Sequence, residues 1–145
     1  MKVVLFTASL LVAHAIAAPT TSTQIKRDIT NVPDALVDCD GEKFNDFQIQ
    51  DAAQQGVDNT RGPGGPQPGG YPKEFENREG FDLPNCPSGE GTLAEFPILD
   101  NGKVYGGGRP GAYRVIYQER GSGNGRYCGL VYHPTEDDPG FEQCS

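Results

Sequence analysis

The chain has 145 residues, with 20 acidic against 12 basic side chains, four Cys, no Trp and a formal charge of -8. That length suits one domain, and the acidic balance argues against a protein that holds nucleic acid through a broad basic surface. All 20 Gly and 11 of the 12 Pro fall after residue 27, so loops must occupy much of that part.

In chain order, Lys2 is a short basic region, residues 3–13 are a nearly unbroken apolar run, and Ala15-Ile16-Ala17 has the small-residue spacing of a cleavage site. A signal peptide is expected over 1–17. The polar stretch 18–27 ends in Lys26-Arg27, either a dibasic processing site closing a propeptide or an ordinary exposed pair on a disordered amino terminus. Both readings leave 28–145 as the folding domain, which keeps all 20 acidic and 9 of the basic residues, a formal charge of -11. No later segment has the roughly 20 consecutive apolar residues of a membrane helix. The expectation is a soluble, extracellular domain in an oxidising compartment.

Residues 44–57, FNDFQIQDAAQQGV, place Ile49, Ala52, Ala53, Gly56 and Val57 on one helical face. Asn45 and Gln48 stand at the two positions of a capping box, and Phe44 and Ile49 at those of a hydrophobic staple. The Gly- and Pro-rich stretch 58–70 should end the helix and form a surface loop. β-prone runs follow at 95–99, 103–105, 113–117 and 127–133, separated by Gly-rich turns. Connections this short favour antiparallel pairing, because a parallel crossover needs a dozen residues or more. The expected fold class is α+β, one amphipathic helix packed on an antiparallel sheet. GGGRPG at 106–111 formally fits G-x-G-x-x-G, but a strand rather than a helix follows it, so the match is accidental.

Cys39, Cys86, Cys128 and Cys144 contain no C-x-x-C spacing, and 28–145 has one histidine, His133. A structural zinc site is therefore disfavoured and two disulfides are expected, with three pairings open. A small, loop-rich domain has limited apolar area to bury and gains most from such staples.

Three charged or titratable residues stand among apolar strand neighbours: Glu95, Arg114 and His133. Alternation puts Glu95 with Pro97, Arg114 with Ile116 and His133 with Val131, so one sheet face is able to gather all three. Such a set is either an acid-base pair with a cation for an anionic intermediate, or a buried ion network with no chemistry.

Five motifs in order bear on this choice: YPKEFENREGF at 71–81, LAEFPIL at 93–99, PGAYRVIY at 110–117, YCGLVYH at 127–133 and GFEQC at 140–144. Together they resemble the secreted fungal guanyl-preferring ribonucleases, a family with purine-preferring members and, more distantly, the ribotoxins such as sarcin. The resemblance implies a helix against a curved antiparallel sheet whose concave face holds the site. It implies a metal-independent endonuclease that needs no cofactor, acts as a monomer on single-stranded RNA, and leaves a 2′,3′-cyclic phosphate that it then hydrolyses. By the same resemblance Glu95 is the general base, His133 the general acid, Arg114 the stabiliser of phosphoryl charge, and Tyr71 and Phe141 their phosphate-side and leaving-group-side neighbours. The segment Phe75, Glu76, Asn77, Arg78 and Glu79 resembles the base-recognition loop, with Glu79 accepting from guanine. The implied disulfides are Cys39–Cys144 and Cys86–Cys128.

The chain departs from the family in having Lys73 where guanyl-preferring members have histidine, and Arg78 where they have a second aromatic residue. Lysine keeps a cation beside Glu95 but, with a reference pKa of about 10.4, is a poor substitute base. The rival reading is a ribonuclease-like effector or binding module whose catalysis is weak or absent because of Lys73. A ribotoxin role is disfavoured, since an acidic domain lacks electrostatic steering towards RNA.

Overall fold

The computed structural model describes residues 28–60, 68–135 and 137–145. The signal peptide and propeptide expected over 1–27, and residues 61–67 of the Gly- and Pro-rich stretch, lie outside the described residues.

The helix α1 spans Asp46–Thr60 and starts where the sequence signals it. The Gln48 amide donates to Asn45 Oδ1 at 2.9 Å and the Asn45 amide to Gln48 Oε1 at 3.0 Å, so two of the donors that a helix start leaves without partners are satisfied reciprocally. The end differs from expectation, because the helix continues three residues past Val57. Polar side chains four apart hold that last turn: Gln54 bonds to Asp58 at 3.2 Å, Gln55 to Asn59 at 2.7 Å, and the Thr60 hydroxyl returns to the Gly56 carbonyl at 3.0 Å.

The main sheet runs in the order β1-β7-β6-β5-β4, and β8 also pairs with β7, sharing with β1 the edge that β6 leaves open. Its strands are β1 (Ile29–Thr30), β4 (Lys73–Glu74), β5 (Leu93–Pro97), β6 (Tyr113–Gly121), β7 (Asn124–Tyr132) and β8 (Glu142–Gln143). A separate hairpin pairs β2 (Val37–Cys39) with β3 (Glu42–Phe44) across Asp40-Gly41, whose φ values of 55° and 94° are those of a type I′ turn. All pairings in the main sheet are antiparallel except β1 with β7. A parallel pair needs a long connection, and most of the chain lies between these two strands. The run at 103–105 is not a strand: only Val104 forms a bridge, to Ile98, because Gly102, Gly107 and Gly108 turn the chain away with φ of 73°, 114° and 86°.

The sheet buries both faces. On one, α1 places Ile49, Ala53 and Val57 against Phe96, Val115, Tyr117 and Leu130; on the other, Phe75, Leu83, Ile116 and Val131 form a smaller core. A bulge in β7 separates the two, since Ile116 faces Gly129 while the next residue, Tyr117, faces Tyr127, leaving Cys128 as the extra residue. Cys128 joins the smaller core and is bonded to Cys86, and Cys39 is bonded to Cys144, closing 105 residues of sequence separation. These are the two pairs that the resemblance implies.

Gly56 is the contact point of helix and sheet, and a Cβ there would lie 2.6 Å from Tyr117 Oη. The Tyr117 ring is fully buried and has nowhere to move. Gly56→Ala gains about 1 kcal/mol of helix propensity but incurs overpacking of about 1 to 3 kcal/mol. The variant is expected to be less stable in urea unfolding, despite alanine being the better helix former.

Candidate active site

Strand register sets the geometry. Lys73, Glu95, Ile116 and Gly129 lie in one cross-strand row, and Pro97, Arg114, Val131 and Gln143 in the row beside it. Glu95 and Arg114 are therefore diagonal neighbours on the face away from the helix. His133 follows Val131 by two residues, just past the end of β7, and its amide donates to the Ala112 carbonyl at 3.1 Å. The alternation expected from sequence does bring Glu95, Arg114 and His133 to one face.

Arg114 is 3% exposed, and its Nη1 donates to the carbonyls of Gly111 and Tyr113, both at 2.8 Å, and of Pro110 at 3.4 Å. Gly111 makes this cage available, because its φ of 67° folds the preceding turn back over the strand start. Arg114 Nε is buried with no protein partner. Its Nη1 bonds thus go to backbone carbonyls, and Glu95 and Arg114 form no direct ion pair among the described residues.

Glu95 is 8% exposed. Loss of hydration raises its carboxyl above the usual glutamate range; Arg114 and then Lys73 pull it down through their positive charge, and Glu79 pushes it up. The outcome is a carboxylate that ionises reluctantly, a property suited to accepting a proton. Lys73 faces it across the β4–β5 ladder and also lies over the Tyr71 ring, with the ammonium 4.5 Å from the centroid. The Arg114 guanidinium is 5.3 Å from the same ring, which two edge contacts, with Phe96 and Tyr105, hold in place.

The imidazole of His133 is fixed on two sides. Its Nδ1 lies 2.9 Å from the Gly140 carbonyl oxygen, and its ring stacks on Phe141 with centroids 4.1 Å apart. A carbonyl only accepts, so Nδ1 carries a proton and Nε2 is the nitrogen left for chemistry.

The loop at 75–81 is built by Asn77, which has φ of 49°, accepts from the Phe81 amide at 2.9 Å and donates to the Phe81 carbonyl at 3.0 Å. Glu79 accepts from the Phe141 amide at 3.1 Å and so sits against the segment that carries the His133 stack. Glu76 and Arg78 pair with each other on the exposed side of the loop. Phe75 is turned inward, in edge contact with Phe141. Beyond Arg114 and His133 an open groove of about 800 Å³ is lined by Arg109, Tyr113, Thr135 and the carboxylates of Asp40, Asp137 and Asp138. Sequence reasoning missed Gly140, Asp138 and the groove-lining tyrosine, because their roles rest on backbone positions that no local pattern announces.

A carboxylate, a buried guanidinium and an imidazole with one free nitrogen thus lie on one face of a disulfide-stapled α+β domain. The chain belongs to the ribonuclease family, whose model matches residues 32–145. It is 34% identical over 110 residues to guanyl-specific ribonuclease U1 of Ustilago sphaerogena, covering 75% of this chain and 94% of that protein. With guanyl-specific ribonuclease F1 of Fusarium fujikuroi it shares 30% identity over 135 residues, 93% of this chain and 88% of the relative. Guanyl-specific ribonuclease Pc of Penicillium chrysogenum is 42% identical over 74 residues, 51% of this chain and 65% of that protein.

The burial of Glu95 has a stability consequence. A carboxyl whose folded pKa is raised binds its proton more tightly folded than unfolded, so its contribution falls as pH rises from the ordinary glutamate value through the raised one. Glu95→Gln is expected to melt at a higher temperature than the parent at pH 7, with the gain shrinking towards pH 4. Thermal melts across that window check the sign.

Proposed function

We propose that this domain is an exported endoribonuclease that cleaves RNA after guanine by proton transfer alone. Glu95, ionised, takes the proton of the ribose 2′-hydroxyl, and that oxygen attacks the adjacent phosphorus. His133 acts as an imidazolium, protonated on both nitrogens: Nδ1–H stays on the Gly140 carbonyl while Nε2 gives its proton to the departing 5′-oxygen, leaving a 2′,3′-cyclic phosphate and a free 5′-hydroxyl. In the second step the roles reverse: His133 takes a proton from water and Glu95 returns one to the 2′-oxygen, giving a 3′-phosphate. Arg114 holds the non-bridging phosphoryl oxygens while charge builds on them, with Tyr71 packed beneath it and Lys73 supplying a second positive charge. No step draws on a metal or a cofactor.

The observation that carries this reading is a desolvated Glu95 held between the positive charges of Arg114 and Lys73, with a His133 whose Nδ1 is already bound. Lys73 supports catalysis rather than its loss, because it stays within the site and lowers the proton affinity of Glu95, keeping the base available. In base recognition Glu79 accepts from the N1 and exocyclic amino hydrogens of guanine, Asn77 shapes the loop, and Arg78 stacks on the base once released from Glu76. Phe75 and Phe141 support that loop and the imidazole from behind. The names of the three relatives, each a guanyl-specific ribonuclease, favour guanine over general purine preference. Residues 1–17 export the chain, 18–27 are removed, and a single copy of 28–145 acts on single-stranded RNA.

Short single-stranded RNAs incubated with the oxidised protein in chelator are expected to yield guanosine 2′,3′-cyclic phosphate ends. His133→Ala should slow their formation by roughly 10² to 10⁴, the contribution of a positioned general acid. Ends carrying a 5′-phosphate, or full activity in His133→Ala, would contradict the mechanism; mass spectrometry of the ends at early and late times distinguishes these results.

A further inference from the structure

The two ends of the site are joined by one peptide group. Its N–H, that of Phe141, donates to Glu79 Oε1 at 3.1 Å, while its carbonyl, that of Gly140, accepts from His133 Nδ1 at 2.9 Å. The Gly140 amide is in turn fixed to Asp138 Oδ1 at 2.8 Å. A Cβ at position 140 would stand 3.1 Å from that Asp138 oxygen and 3.8 Å from Glu79 Oε1, so glycine keeps the peptide close to both carboxylates. Two further ties bind the same segments: Gln143 Nε2 donates to the Asp82 carbonyl at 3.0 Å, and Phe75 packs edge-on against Phe141, the residue stacked on His133.

We infer that Glu79 is a positioning residue for the general acid His133, acting through the Gly140–Phe141 peptide in addition to reading the base. The inference rests on the proposed roles of Glu79 in base recognition and His133 as acid. A carboxylate on the amide side of a peptide polarises it and strengthens its carbonyl as an acceptor, so the negative charge of Glu79 is relayed to the Nδ1 side of the imidazole. The tie also fixes the ring's place, which sets where Nε2 meets the leaving oxygen. Oxygens of a carboxylate each accept more than one hydrogen bond, so guanine is bound without releasing Phe141. Base recognition and readiness of the acid then share one side chain, so its loss lowers kcat as well as guanine preference.

Two substrates carrying the same guanosine separate the two roles. One is guanylyl-3′,5′-cytidine; the other is its analogue with sulfur in place of the bridging 5′-oxygen, whose thiolate departs without a proton. In Glu79→Ala, preference for guanine over adenine should fall, and the loss in kcat should be roughly tenfold larger with the oxygen leaving group than with sulfur, part of the contribution expected of a misplaced acid. Glu79→Gln keeps an acceptor for the Phe141 amide but not the charge, and should show a smaller difference between the two substrates than Glu79→Ala does. Equal losses for both leaving groups in Glu79→Ala, with guanine preference gone, would overturn the positioning role and leave base reading standing. Guanine preference undiminished in Glu79→Ala would overturn the base reading itself.

Discussion

Two ionisable side chains buried in the middle of a small sheet are the constraint around which this molecule is arranged. Arg114 and Glu95 are each less than a tenth exposed, in strands β6 and β5. Their simplest resolution would be mutual neutralisation. Instead the backbone carbonyls of Pro110, Gly111 and Tyr113 take the hydrogen bonds of Arg114 Nη1, and the carboxylate is left to ionise against its desolvation with through-space help from two cations. The price is a net raised carboxyl pKa, and the result is a carboxylate and a guanidinium that have not consumed each other.

The rest of the fold tolerates that strain by being well tied. The helix-side core is continuous from α1 through β5, β6 and β7, and the site-side core is closed by the Cys86–Cys128 bond. The bulge at Cys128 serves both, since it turns the sulfur towards the smaller core while Tyr127 and Leu130 remain against the helix. The second disulfide joins the β2–β3 hairpin to the last strand, whose preceding residues, Gly140 and Phe141, hold His133 in place. Loop-rich composition and a rigid site are thus compatible because the loops are anchored at their ends.

Much of this was legible in the sequence where a local period or cap carries it. The Asn45–Gln48 capping box, the apolar face of α1 and the alternation that puts Glu95, Arg114 and His133 together all follow from spacing alone. The β2–β3 hairpin is signalled locally too, since Asp40-Gly41 is a strong turn pair. Other features have no local signature. The parallel pairing of Ile29–Thr30 with β7 joins opposite ends of the chain. The carbonyl cage of Arg114, and the peptide linking Glu79 to His133, depend on backbone positions fixed only in the folded state. The run KVY misled because its β propensity is local, whereas the glycines on either side decide its path.

The acidic surface and Lys73 give the account its sharpest dependence on electrostatics. The formal charge is -8, and Arg114 and Lys73 hold down the proton affinity of Glu95 against its burial. The most direct measurement is a ¹³C NMR titration of the Glu95 carboxyl in the oxidised protein. The account predicts a midpoint above that of exposed glutamates, moving higher still when Lys73 is replaced by glutamine. A midpoint at or below the ordinary glutamate value, unmoved by that substitution, would contradict it, because Glu95 would then be a solvated surface carboxylate and not a buried base.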